Sequence, residues 1–291
     1  MKKSLLFIFL ACQTVAVLSK GHKEKNQYLT AAPDSFVYHQ TGKLSLKAYV
    51  FQPVADGKRH PAILLFHGGA WRLGDASWTF GRAKEFADDG MVAICIEYRL
   101  ANNGLSPIDG VEDACAAFAW ARSQADKFGI DTKRVAGYGI SAGGHLVAAA
   151  AVLPAVNGKK VSDDSRPNAL MLYSAALNMA HDPYFDALMK DKGDPAAYSP
   201  SEFISKKLPP TLIIEGEKDS IVFAKDAQAF HDAAIKAGAK CELHIYPGVG
   251  HLLTRNLKVQ YKDFDPDPAD QADAHQREND FLYALGYIKN K

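Results

Sequence analysis

Six nearly continuous apolar runs recur along this 291-residue chain, and helical patterns separate them. They are AILLF (62–66), MVAICIEY (91–98), RVAGYGI (134–140), NALMLYS (168–174), TLIIE (211–215) and CELHIYP (241–247). A strand that is apolar on both faces must be covered on both faces, which is the position of a central strand in a parallel sheet. Three helical stretches supply the cover. IDGVEDACAAFAWARSQADKFG follows Pro107 and stops at Gly129, VFAKDAQAFHDAAIKAG stops at Gly238, and DQADAHQRENDFLYALGYI closes the chain. Strand and helix in alternation predict an α/β fold with a mostly parallel central sheet and helices on both faces. LSLKAYVF (44–51) alternates apolar and polar residues instead, so it is expected as an outer antiparallel strand. In a sheet of this kind, function gathers in the loops beyond the strands' C-terminal ends.

One of those loops is unusual. Residues 137–144 read GYGISAGG and lead straight into HLVAAAAVL. Glycine weakens both strands and helices, so such a cluster between one and the other needs a steric reason. Gly139-Ile140-Ser141-Ala142-Gly143 matches G-x-S-x-G in the strand-to-helix setting of a nucleophile elbow. There the turn is so tight that its flanks must be nearly free of side chains. The serine projects at the tip, beside helix N–H groups that favour developing negative charge. An ordinary serine N-cap would account for Ser141 but not for the glycines.

Serine is a weak nucleophile that needs a base, and the base needs an acid to orient it. Asp219 lies in the loop after TLIIE and His251 in the loop after CELHIYP, which gives the order Ser, Asp, His, each after its own strand. Glu215 and Glu217 are rival acids, placed closer to the strand end with poorer reach toward His251. FHGGAW (66–71) follows the strand AILLF, and its glycines leave the N–H groups of Gly68 and Gly69 unscreened. With the N–H of Ala142 they can form an oxyanion hole. His67 precedes Ser141 and is read as an anchor of that loop, not as the base.

These stretches carry a resemblance. HGGAW, IEYRL, FGIDTKRVAGYGISAGGHL, LPPTLIIEGEKDSIV and YPGVGHLL together resemble the hormone-sensitive-lipase-like branch of the α/β-hydrolases, and within it the secreted carbohydrate esterases that act on feruloyl or acetyl esters. The resemblance runs from about residue 44 to the C-terminus. It implies the α/β-hydrolase fold and carboxylic ester hydrolysis without a cofactor. It also implies Ser141, Asp219 and His251 as triad, Gly68, Gly69 and Ala142 as oxyanion donors, and an acylated plant carbohydrate as substrate. Many lipase-like relatives place a long helical cap ahead of the HGG strand. Here fewer than fifty residues separate Lys20 from His67, so no large cap domain is expected.

The remaining features set context. MKKSLLFIFLACQTVAVLSKG has the layout of a secretory signal peptide, with cleavage after Ala16 or Ser19. The apolar run is short for a membrane span, and Gln13 and Thr14 interrupt it. The expectation is a signal segment at 1–19, a single domain at 20–291, and a secreted or periplasmic protein; lipid attachment at Cys12 is the lesser alternative. Losing Lys2 and Lys3 would take the formal charge from +1 to −1, which leaves no footprint for nucleic acid or an anionic membrane. Cys95, Cys115 and Cys241 are too few and too scattered for a disulfide framework and read as buried thiols, with a single bridge between two of them as the alternative. No metal-ligand spacing recurs, and the aspartates of FDPDPAD (264–270) read as a solvated turn before the last helix. Trp71 and Trp78 are candidate substrate contacts; Trp71 reads first as packing the oxyanion loop, and Trp78 either does likewise or offers a stacking face to a sugar. The EYR run at 97–99 reads as a buried ion pair at a strand end. Two other functional classes fit the same fold: a prolyl-oligopeptidase-type serine peptidase, whose propeller domain has no room here, and a non-catalytic binding protein, which would typically lack a triad member.

Overall fold

Leu64 has no exposed surface, and neither do its neighbours from Ala62 to Phe66, because their strand is packed on both sides. Alternate residues of this run serve two separate cores: Ala62, Leu64 and Phe66 face one, Ile63 and Leu65 the other. The computed structural model describes residues 33–189 and 192–289. The expected signal segment 1–19, with Cys12, lies outside them.

In chain order the elements are β1 (Asp34–Thr41), β2 (Leu44–Phe51), β3 (His60–Phe66), α1 (Phe80–Asp88), β4 (Val92–Ile96), α2 (Pro107–Ser123), α3 (Ala125–Phe128), β5 (Ile130–Ile140), α4 (Ala142–Val152), β6 (Ala155–Val156), β7 (Lys159–Lys160), β8 (Ala169–Tyr173), α5 (Pro183–Met189), β9 (Thr211–Gly216), α6 (Ala224–Lys236), β10 (Cys241–Tyr246) and α7 (Pro268–Ala284). Eight strands form one sheet in the order β1-β2-β4-β3-β5-β8-β9-β10. The pairs β1·β2 and β2·β4 are antiparallel, and every later pair in the sheet is parallel. α2, α4 and α6 cover the first core, while α1 and α7 cover the second. The expected α/β architecture, mostly parallel with helices on both faces, is therefore what the chain adopts.

Local differences have local causes. β2 is antiparallel as expected but second in the sheet, since β1 pairs outside it along Asp34–Thr41. The stretch DSFVYHQT shows little patterning because Val37 points to solvent while Tyr38 packs inward. The long helical run after Pro107 divides at Gln124, whose ψ of 12° leaves helical geometry, and Gly129 with φ 67° ends the second piece. β6 and β7 form a small hairpin across Asn157 and Gly158, both in left-handed backbone. An Asn-Gly pair is the residue choice such a turn requires.

All the parallel strands point their C-terminal ends at one edge. The longest connection there, 174–210, carries α5 and two single 3-10 turns. It closes over the start of α4 and forms no separate cap domain among the described residues.

Candidate active site

The site begins with a strained serine. Ser141 has φ 52° and ψ −118° between β5 and α4, a conformation that costs a non-glycine residue roughly 1–3 kcal/mol. Tertiary contacts hold it there: its N–H donates to Tyr173 O at 2.9 Å, and its carbonyl accepts from Ala176 N–H at 3.2 Å. The surrounding glycines now have their reason. A Cβ on Gly139 would stand 2.5 Å from Gly143 O, one on Gly143 would stand 2.2 Å from Phe66 O, and one on Gly144 would stand 2.4 Å from Ala175 Cβ. No side chain fits at any of the three.

Strain continues around the site. Of the eight non-glycine residues with left-handed φ among the described residues, six lie here: Ala70, Trp71, Ser141, Ser174, Leu252 and Leu253. Such residues persist only where their surroundings over-determine them.

Three side chains from three loops converge. His251 Nε2 lies 3.0 Å from Ser141 Oγ, and His251 Nδ1 lies 2.7 Å from Asp219 Oδ2. Asp219 Oδ1 accepts from the N–H groups of Ile221 and Val222 at 2.8 and 2.9 Å. That fixes the carboxylate plane against the ring. All three residues are buried, so the chain of hydrogen bonds is shielded from water. Glu217, a rival acid in the sequence, turns outward instead: it accepts from Gly248 N–H and pairs with Lys218. Glu215 is fully buried behind Asp219 and does not bond His251.

The donors beside the serine are free. Among the described residues, no protein acceptor takes the N–H of Gly68, Gly69 or Ala142. A Cβ on Gly68 would stand 3.2 Å from Ser141 Cβ, so this backbone runs against the nucleophile itself. Gly69 has φ 121°, and the turn after it closes by two hydrogen bonds to its carbonyl, from Arg72 N–H at 3.0 Å and Leu73 N–H at 2.9 Å. His67 anchors the loop from below. Its ring stacks on Tyr98 at 4.3 Å and its carbonyl accepts from the Tyr98 hydroxyl at 2.8 Å. Burial lowers the pKa of the His67 imidazole.

The two tryptophans separate. Trp71 is buried, packs edge-on against Phe185 and donates its N–H to His145 Nδ1 at 3.2 Å, so it supports the loop and offers substrate no open face. Trp78 is 62% exposed at the rim. A cavity of about 350 Å³ is lined by Ile140 and Leu252, the chain neighbours of Ser141 and His251, together with Phe264, Arg82, Gln271 and His275.

One residue escaped the sequence. Gln260, 3% exposed, uses its whole amide to tie the acid loop to the base loop. Its oxygen accepts from His251 N–H at 2.9 Å and Ser220 N–H at 3.1 Å, while its nitrogen donates to Lys218 O at 2.9 Å and Leu257 O at 3.3 Å. Nothing in VQYKDF marks it, because its role depends on two loops distant in the chain.

The other candidates resolve into structure. Arg99 bonds Asp113, Asp109 and Glu112 on α2 as a buried ion cluster. Asp265 pairs with Arg255, and Asp267 caps α7 by accepting from the N–H groups of Ala269 and Asp270. The three cysteines of the described residues are free thiols, raised to about 12 by burial. Among the described residues, no helix is long and apolar enough to cross a membrane.

Known proteins resemble this chain to different depths. Residues 63–255 match a family model described as the alpha/beta hydrolase fold. A probable isoprenylcysteine alpha-carbonyl methylesterase of Oryza sativa subsp. japonica is 25% identical over 84% of this chain and 63% of its own length. Esterase LipC of Mycobacterium tuberculosis is 26% identical over 67% of this chain and 53% of its own. The chain thus spans less than two thirds of these two curated relatives. Among solved structures, Thermogutta terrifontis esterase 2 phosphonylated by sarin superposes with a TM-score of 0.80 at 27% identity, covering 89% of this chain and 97% of that one. Its butyrate-bound form gives a TM-score of 0.79, covering 89% of this chain and 96% of that one.

Proposed function

Because the chain belongs to the alpha/beta hydrolase fold family, we propose that it is a serine carboxylesterase acting through Ser141, His251 and Asp219. The observation that carries this reading is the hydrogen-bonded relay from Ser141 Oγ to His251 to Asp219, set beside three unpaired backbone donors. Ser141 Oγ attacks the ester carbonyl as His251 Nε2 takes its proton. Asp219 holds Nδ1–H and stabilises the imidazolium that forms. The carbonyl oxygen becomes an oxyanion, received by the N–H groups of Gly68, Gly69 and Ala142; one such donor contributes about 3 kcal/mol to the transition state. His251 then gives its proton to the leaving alcohol. Water, deprotonated through His251, attacks the acyl-enzyme and frees Ser141. No step requires a cofactor.

Features of the site and of the relatives support one substrate class. Thermogutta terrifontis esterase 2 is known with butyrate and with propionate bound, which supports a short acyl group here as well. Exposed rings stand on the connections at this edge of the sheet: Trp78, Tyr184 on α5, Tyr261 and Phe264. The neighbouring cavity joins the aromatic wall of Phe264 to the polar side chains of Gln271 and His275, with Arg82 held by Glu278 and Glu85, and so offers partners to a hydroxylated group. Together with the resemblance to carbohydrate esterases, these features support acetyl or feruloyl esters of plant polysaccharide as substrate. The basic-then-apolar start of the chain supports action outside the cytoplasm.

The test is kcat/KM across aryl esters of increasing acyl length, with acetate and ferulate release from xylan and cleavage of a dipeptide amide. The reading expects best turnover on the shortest acyl chains, release from at least one xylan, and no amide cleavage. Efficiency that climbs steadily to long chains with nothing released from xylan would replace it with a lipase.

A further inference from the structure

Glu215, the penultimate residue of β9, has no exposed surface and stands one short turn before Asp219. Its Oε1 accepts from Gly216 N–H at 2.9 Å. Among the described residues its Oε2 has no hydrogen-bond partner within ordinary distance. The groups facing it are Ser174 and, farther off, the Tyr173 hydroxyl from β8, and the Asp219 carboxyl from the loop after β9; no lysine, arginine or histidine among the described residues pairs with it. An uncompensated charge in such a place is very costly, and two neighbouring buried carboxyls do not both ionise.

Hydrogen bonds decide which of the two keeps the proton. Asp219 accepts three: from Ile221 N–H, Val222 N–H and His251 Nδ1. Glu215 accepts one from the backbone and one from the Ser174 hydroxyl, still fewer than Asp219. The charge therefore belongs on Asp219, and a proton on Glu215 turns its orphan oxygen into a donor with an acceptor at hand. We infer that Glu215 is a positioning residue of the triad, a neutral carboxylic acid that donates a hydrogen bond to the Asp219 carboxylate and braces it against His251. Burial, and then the neighbouring Asp219 charge, push the Glu215 pKa well above the ordinary carboxylate range.

The brace has a second arm. Ser174 lies against Glu215, and its Oγ accepts from Leu252 N–H at 3.0 Å, next to the catalytic base. The acid loop and the base loop thus rest on one buried pair at the ends of β8 and β9. Glutamine can replace the acid because its amide also donates; leucine cannot.

This inference rests on the esterase reading, and the experiment separates the two. Full-length wild type, Glu215→Gln and Glu215→Leu are assayed for kcat and KM on a short-chain aryl ester from pH 5 to 9, with Ser141→Ala as control. Infrared difference spectra of wild type against Glu215→Gln report a protonated carboxyl near neutral pH. The expected result is Glu215→Gln within about threefold of wild type with its acid limb unmoved, because one neutral donor replaces another. Glu215→Leu should lose about thirtyfold or more in kcat with KM little changed, and its acid limb should move up as Asp219 loses a donor that spreads its charge. The protonated-carboxyl band should be present in wild type and absent from Glu215→Gln. A glutamine variant whose acid limb drops by about one pH unit would show that Glu215 is an anion and overturn the inference. Loss in the glutamine variant as deep as in the leucine variant, or no protonated band, would overturn it too. Should Glu215→Leu fail to fold, the glutamine profile and the band still decide. Activity surviving in Ser141→Ala would sink the esterase reading instead, and the infrared band would still report on Glu215.

Discussion

Acid should loosen the support of the active site through one buried histidine. His145 on α4 has no exposed surface and both ring nitrogens engaged: Nδ1 accepts from Trp71 Nε1–H at 3.2 Å, and Nε2–H donates to Tyr198 O at 2.9 Å. It joins the oxyanion loop to the 174–210 connection. Burial lowers its pKa from 6.5 to about 4, so the ring is neutral when folded at neutral pH. A proton added at Nδ1 would set donor against donor at Trp71. Between these two values the unfolded chain binds the extra proton and the folded one does not. The stability present above pH 6.5 is therefore lost as pH falls toward 4. At about 1.4 kcal/mol per pH unit, the interval from 6.5 to about 4 corresponds to about 3 kcal/mol. About 2 kcal/mol of that falls between pH 7 and 5.

The perturbation is His145→Leu, read by urea denaturation of both proteins from pH 8 to 5. At pH 8 the variant strands the Trp71 N–H and the Tyr198 carbonyl and should lose about 2–4 kcal/mol. Toward pH 5 the gap should narrow by about 2 kcal/mol, because only wild type bears the protonation penalty. Other titrating groups are common to both proteins and cancel. A gap that stays constant from pH 8 to 5 would refute the assignment of His145 as the neutral buried group.

Gly143→Ala should misfold or lose more than about 3 kcal/mol, since its Cβ meets the backbone oxygens of Phe66 and His67 at 2.2 and 2.5 Å; a thermal melt within a few degrees of wild type would contradict that clash. Gln260→Glu turns two donors facing Lys218 O and Leu257 O into acceptors, so kcat should fall about tenfold or more with KM little changed. An unchanged kcat would remove Gln260 from the positioning of the triad. Asp219→Asn should fold normally and lose about three to four orders of magnitude in kcat, whereas Glu217→Gln should be nearly silent. Comparable losses in the two would move the acid's role to Glu217.

What the sequence disclosed depended on how local each constraint was. The parallel strands were legible because burial on both faces leaves an uninterrupted apolar run, as in AILLF. The elbow was legible because three glycines with no room for a Cβ lie within six residues of one another. β1 was not, since at that edge only alternate residues such as Phe36 and Tyr38 pack inward. The β6–β7 hairpin was signalled by Asn157-Gly158, a turn pair easily passed over beside so short a ladder. Gln260 and Glu215 were hidden for a deeper reason. Their meaning comes from partners brought together by tertiary structure, and a buried glutamate at a strand end looks in sequence only like a second-best acid.

The most direct test of the account is covalent. Incubation with paraoxon, followed by intact-mass measurement and peptide mapping, should show one phosphoryl group per chain, on the peptide bearing Ser141. Label should rise in step with loss of esterase activity, and Ser141→Ala should take up none. Full inactivation with the label on another residue, or a Ser141→Ala protein that keeps more than about a tenth of wild-type turnover, would contradict the assignment of Ser141 as nucleophile.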